Sequence, residues 1–246
     1  MLLILSTVLS SSFVLMPAWA GPPFLTDDPE PVGLGHGELY LASQYSNAKD
    51  GVSMTLPHVE FNYGILPETQ FHLIVPMAYS GPREGPKQYG PGDMELGVKY
   101  RFLKETENIP EAGIFPLAEL PTGDSTRGLG ERRVRIFLPL WLQKDFGKWT
   151  TYGGGGYWHN PGPDNKDYWF FGWEVQREIS KGLTLGGELY HSTRSAVDDG
   201  GHTGFNIGMI VYLNDNHNIL LSAGRDLHGD NLFQSYAAYL YTFGKK

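Results

Sequence analysis

The sequence predicts an all-β chain folded as a transmembrane antiparallel up-and-down β-barrel of about 12 strands. Three observations carry this expectation. Apolar and polar residues alternate with period two, in segments of about ten residues, the length a tilted strand needs to cross a bilayer. Short turns and longer polar loops alternate between these segments, as in barrels with periplasmic turns and extracellular loops. Aromatic residues sit at the ends of the apolar rows, where membrane barrels place their interfacial girdles.

The elements follow in chain order. Residues 1–20 hold no charged side chain, run through Leu2-Leu3-Ile4-Leu5 and Phe13-Val14-Leu15-Met16, and close on Ala18-Trp19-Ala20. An apolar stretch ending in A-x-A has the form of a secretory signal peptide, the other reading being a buried N-terminal helix. Residues 21–36 are then expected to be an N-terminal periplasmic segment, and 37–246 the barrel. Strands are expected near 37–46, 54–64, 69–79, 93–103, 112–121, 132–144, 149–158, 167–178, 183–194, 203–213, 218–226 and 233–243. The clearest is 93–102, where Met94, Leu96, Val98, Tyr100 and Phe102 alternate with Asp93, Glu95, Gly97, Lys99 and Arg101. Because successive strand side chains point to opposite faces, one face is apolar and the other charged. Short turns fall at 66–68, 146–148, 180–182 and 214–216, and long loops at 80–92, 122–131, 159–166 and 195–202; the 104–111 link is long on the short-turn side.

A soluble sandwich or lipocalin-like barrel also alternates. Against it stand the mixture of glycine, tyrosine and both charge signs in the polar rows, and the terminal aromatics Tyr63, Tyr79, Tyr100, Trp158, Trp169 and Tyr241. The last strand also ends on Phe243, resembling the terminal signal of bacterial outer-membrane barrels.

Composition narrows the function classes. The 246 residues include no cysteine, which removes disulfide scaffolds, thiol catalysis and cysteine metal sites. A net charge of −8 argues against nucleic-acid binding. The 32 glycines are nearly double the usual share of about 7% and, with 13% aromatics, favour strand over helix. A mean hydropathy of −0.29 and the lack of any apolar run of 18 or more residues exclude a helical membrane span.

By parity the lumen-lining residues are His58, Glu60, His72, Asp93, Glu95, Lys99, Arg101, Glu119, Arg133, Arg135, Glu174 and Glu188, with Gln70 beside them. They form either a structural ion-pair network that plugs the barrel or charged walls of a pore. In the second case Lys99, Arg101, Arg133 and Arg135 make a basic wall facing Glu60, Glu95 and Glu119. Pro57, Pro76, Pro116 and Pro139 fall inside expected strands and remove ladder donors. They mark rim bulges or a weakened seam serving as a lateral exit.

The run Pro22-Pro23-Phe24-Leu25-Thr26-Asp27-Asp28-Pro29 resembles the opening of the phenol MetA degradation family of outer-membrane transporters. Asn62-Tyr63-Gly64-Ile65, the 92–101 segment, Leu120-Pro121-Thr122-Gly123-Asp124 and Gly187-Glu188-Leu189-Tyr190 continue the resemblance over nearly all of the mature chain. It implies a barrel with a role in uptake of aromatic compounds, and carries over no binding residues.

An enzyme is not expected. Tyr190-His191-Ser192 places His and Ser on opposite strand faces, and Gly153 to Gly156 lacks the Lys-Ser/Thr of a phosphate loop. Asp198, Asp199 and His202 are close in sequence, but such clusters arise by chance among many acids; no metal and no cofactor are expected. The expected partners are the lipid bilayer of the bacterial outer membrane, a small-molecule solute and the barrel-assembly machinery, with no nucleic acid. The expected function is a passive channel; the alternative is a non-conducting structural or partner-binding barrel.

Overall fold

The computed structural model describes residues 22–198, 200–230 and 232–244; the expected signal peptide, 1–20, lies outside them. Among the described residues the strands are β1 (His36–Ala48), β2 (Gly51–Leu66), β3 (Thr69–Pro82), β4 (Gln88–Pro91), β5 (Met94–Leu103), β6 (Glu111–Ile114), β7 (Leu117–Leu120), β8 (Arg135–Phe146), β9 (Trp149–His159), β10 (Tyr168–Ser180), β11 (Leu183–Ser192), β12 (His202–Asn214), β13 (His217–His228) and β14 (Phe233–Gly244). A 3-10 turn, Ser125–Arg127, interrupts the loop before β8.

These fourteen strands make twelve staves. β4 and β5 run end to end along β3, and β6 and β7 run end to end along β8. Every pairing is antiparallel between chain neighbours, and β1 pairs with β14, so the sheet closes. Closure leaves no unpaired edge, which is what allows strands to lie in hydrocarbon.

All twelve expected segments are strands, and the short turns lie where the spacing put them. The bounds shift by up to three residues and 112–121 is broken into β6 and β7; the shift that takes Arg133 off its strand is at β8, where the strand expected from 132 begins at Arg135. The backbone N–H of Glu131 donates to Asp93 Oδ2 at 2.5 Å, which ties the chain before β8 to the β4–β5 connection instead of to a strand ladder.

The alternation sorts as expected. On β8, Ile136, Leu138 and Leu140 are exposed while Arg135, Phe137 and Trp141 are buried; on β10, Trp169, Phe171, Trp173 and Val175 are exposed while Tyr168, Phe170 and Glu174 are buried. An apolar exterior around a closed antiparallel barrel is the membrane-facing surface of a transmembrane barrel. At the short-turn end the outward rings of His217, Tyr241, Phe243, Phe61 and Tyr63 stack in succession, with centroids 5.1 to 6.3 Å apart. At the loop end Trp169 stacks on Phe171 and meets Tyr157 edge to face. Trp158 departs from the expected girdle: it faces inward, 3% exposed, stacked on Phe137 at 4.7 Å. Its parity is that of Tyr152 and Gly156, the inward row of β9.

The strand prolines lie at interruptions of the ladder within the wall. Pro57 sits in the β2 bulge between Thr55 and His58. Pro76 faces the break between β4 and β5, its carbonyl accepting from the Gly92 N–H at 2.9 Å. Pro116 separates β6 from β7, and Pro139 lies on β8 opposite that gap. In the Gly153 to Gly156 run, a Cβ on Gly153 would lie 2.5 Å from the Trp173 ring, so the bare strand makes room for an aromatic face.

If the exposed rows meet hydrocarbon, a charge at their midpoint is costly. Leu140→Arg is expected to lower unfolding free energy by about 2–4 kcal/mol in lipid vesicles, measured by urea unfolding. A loss under about 1 kcal/mol would place Leu140 at an interface instead.

Candidate functional site: the partitioned lumen

The N-terminal segment, expected in the periplasm, lies inside the barrel over the described residues 22–35. Phe24, Thr26 and Asp27 are buried, the last two with no exposed surface. The sequence suits this position because Pro22, Pro23, Pro29 and Pro31 carry no backbone N–H that burial would orphan. Of the remaining donors, the Asp28 and Glu30 N–H groups turn back to the segment's own Asp27 and Asp28 carboxylates, and others are met by the wall. Glu188 on β11 accepts from the N–H groups of Leu25 and Thr26, both at 2.8 Å, and from Thr26 Oγ1 at 2.6 Å. Val32 N–H donates to Gln70 Oε1 at 2.8 Å, and Gly35 N–H to the Gly64 carbonyl at 2.9 Å. Ser222 on β13 donates to the Pro23 carbonyl. The wall is bare where the segment touches it: a Cβ on Gly172 would lie 2.1 Å from Thr26 Oγ1, and one on Gly208 would lie 2.9 Å from the Phe24 ring.

The segment divides the interior. On the β6–β11 side the lumen is filled by Phe115, Leu117, Phe137, Trp141, Trp158, Tyr168, Phe170 and Tyr190, packed as one cluster. On the side of β14, β1, β2, β3 and β5 a cavity of about 680 Å³ remains beside the segment, reaching the short-turn end at Asp215 and Gly244. A smaller one of about 80 Å³ lies toward the loops, lined by Phe24, Ser46, Met54 and Tyr236 among others, and Pro22 borders both.

The residues assigned to the lumen by parity fall into separate groups. His58, Glu60, His72 and Glu95 form one buried cluster: His72 Nε2 is 2.8 Å from Glu95, and His72 Nδ1 and His58 Nε2 lie 3.7 and 3.6 Å from Glu60. Lys99 reaches the segment, 3.0 Å from Asp27 and 3.4 Å from Asp28. Arg101 sits at the short-turn mouth, 2.7 Å from Glu68 and 2.8 Å from Glu111. The Lys104 ammonium at 2.6 Å and Arg101 hold the Glu68 carboxyl below its usual range. Arg135 pairs with Glu119 at 3.2 Å, donates to Tyr168 Oη at 3.1 Å and lies over the Trp158 ring. Glu174 and Glu188 are cross-strand neighbours; Glu188 holds the segment, and both oxygens of Glu174 have no hydrogen-bond partner.

Two assignments require correction, and with them the basic wall. Arg133 is exposed in the loop before β8, because that strand starts two residues later. Asp93 lies in the β4–β5 connection, where it accepts from the Gly123 and Glu131 N–H groups and fastens the loops; burial raises its pKa. Lys99, Arg101 and Arg135 are each bound to their own carboxylates, since a buried cation without a partner is prohibitive. The cavity-lining acids that sequence reasoning missed are Asp27, Asp28 and Glu30 on the segment, Glu38 on β1 and Asp215 in a short turn. For the segment acids the available signal was the density of acids and prolines just before the first strand; for Glu38 it was strand parity in β1.

His191 faces outward, donating to or accepting from Thr203 Oγ1 at 2.8 Å, while Ser192 is buried, so the pair shares no site. Asp199 lies outside the described residues, and among those described no group of three or more His, Asp or Glu is arranged to hold a metal.

No family model and no curated protein sequence matches the chain. Solved structures do. An outer membrane channel from Pseudomonas putida F1 superposes with a TM-score of 0.72 at 17% identity, over 88% of this chain and 98% of that one. The KdgM porin in complex with disordered oligogalacturonate gives 0.59 at 8% identity, over 84% and 99%. The translocator domain of the autotransporter NalP from Neisseria meningitidis gives 0.58 at 10% identity, over 84% and 88%. At these identities the likeness is one of fold.

The buried pair at Arg135 and the exposed Arg133 make opposite stability predictions. Arg135→Ala removes the buried charge partner of Glu119 and is expected to cost about 3–5 kcal/mol in urea unfolding. Arg133→Ala is expected to stay within about 0.5 kcal/mol of the parent.

Proposed function

We propose that this chain is a bacterial outer-membrane barrel that passes small solutes passively, aromatic compounds among them, with no covalent chemistry. One observation carries the reading: beside the N-terminal segment the lumen keeps a cavity of about 680 Å³, open at the short-turn end, where a purely structural barrel of this width could be filled by side chains. Twelve staves lie between the packed eight-stranded barrel and the aqueous sixteen-stranded porin. The fold shared with an outer membrane channel and with a porin supports the reading. The resemblance to the phenol MetA degradation family supports the aromatic solute, and the terminal Phe243 supports insertion by the barrel-assembly machinery.

The second reading, a non-conducting barrel whose loops bind a partner, is favoured by the segment itself, which fills the lumen between the aromatic cluster and the cavity.

Single-channel recording in planar bilayers separates the two. The intact chain is expected to conduct weakly, and deletion of residues 22–34 to raise conductance severalfold, because removal of the segment joins the cavity to the loop end. Silence at every voltage from both proteins would sink the channel reading.

A further inference from the structure

Resting on the channel reading, we propose that the large cavity is a cation-selective chamber, admitting small positively charged solutes and turning anions away. Its wall carries six carboxylates, from Asp27, Asp28, Glu30, Glu38, Glu60 and Asp215, and one permanent cation, Lys99. Lys99 is already bound by Asp27 and Asp28. Arg101, at the edge, is held by Glu68 and Glu111 and lies 3.6 Å from Glu30. His36 and His72 also border the cavity, and even with both protonated the carboxylates remain in excess.

The second observation concerns two oxygens. Asp27 Oδ2 and Glu60 Oε2 have no hydrogen-bond donor, though their residues are 0% and 2% exposed and both border the cavity. Glu60 is engaged on its other oxygen by Asn62 Nδ2 at 2.9 Å, and His58 Nε2 approaches the free one only to 3.6 Å. A buried anionic oxygen left without a donor costs its full desolvation, so it is matched to a group that brings positive charge or N–H donors. Glu38, one strand away, accepts only from Tyr40 Oη at 2.9 Å and from Asn62 at 3.5 Å. The β1–β2 register sets Tyr40 opposite Glu60 and Glu38 opposite Asn62, which places the two carboxylates on adjacent inward positions. Low-dielectric walls around one sign of charge concentrate the opposite ion, as acidic rings do in cation channels.

The ligand chemistry, a small positive charge, is shared by hydrated alkali ions and by protonated amines. Reversal potentials across a KCl gradient read the first source. Calorimetric titration of the detergent-solubilised barrel with diprotonated 1,2-diaminoethane reads the second and does not require conduction. The intact protein is expected to favour potassium over chloride. Glu38→Gln with Glu60→Gln should bring that ratio toward unity and abolish or severely weaken diamine binding, while Glu107→Gln, which removes a carboxylate from an exposed loop away from the cavity, should alter neither. If the double variant does not fold, Glu38→Gln alone should move both readouts in the same direction. A conducting barrel that prefers chloride or discriminates nothing overturns the inference and leaves the channel reading standing. Silence from both the intact barrel and its 22–34 deletion overturns the channel reading; diamine binding that the substitutions weaken then still supports the acidic chamber, and binding that is absent or unaffected overturns it.

Discussion

The structure depends on Glu188. Its carboxylate gathers the N–H groups of Leu25 and Thr26, the Thr26 hydroxyl and Asn206 Nδ2, the last at 2.6 Å. A buried carboxylate with four donors is satisfied, and so is the stretch of backbone that supplies two of them. That single group therefore answers two costs of burial at once: a strand charge inside a barrel and a peptide segment that forms no strand. The rest of the interior follows from where it holds the segment. The segment lies against the bare glycine wall of β10 and β12, leaves the aromatic cluster on one side, and leaves the acidic cavity on the other.

The remaining charges obey the same rule on a smaller scale. Lys99, Arg101 and Arg135 are each met by carboxylates from a neighbouring stave or from the segment. The cavity is bordered by more carboxylates than cations, so the field inside it carries the sign of the whole chain; Glu174, away from the cavity, also keeps both oxygens without a partner. Prolines at the ladder gaps of β4–β5 and β6–β7 show the same accounting for backbone donors: where an N–H is missing, the partner strand is interrupted or bulged.

The barrel was legible because period two is a property of single strands. Val98, Tyr100 and Phe102 need no knowledge of β6 to point away from Lys99 and Arg101, and turn lengths then order the staves. Parity also put Glu188 and Lys99 inside. It could not say what they hold, since Glu188 meets Thr26 across 162 residues and Lys99 meets Asp27 across 72. Parity fails where a strand starts later than its pattern, as at Arg133, and where an aromatic at a row's end belongs to the other row, as at Trp158. The segment at 22–35 was misplaced for a related reason. It has no period, and its seat is written in Gly172 and Gly208, glycines whose use appears only when the segment is laid over them.

The central claim is that residues 22–35 occupy the lumen. The natural chain has no cysteine, so a single engineered pair reports on it directly. Pro23→Cys with Ser222→Cys, at the contact between the Pro23 carbonyl and the Ser222 hydroxyl, is expected to cross-link on mild oxidation of the folded barrel. The link should vanish when either cysteine is omitted. Folded protein in which both thiols stay free and react with a water-soluble maleimide would contradict the account.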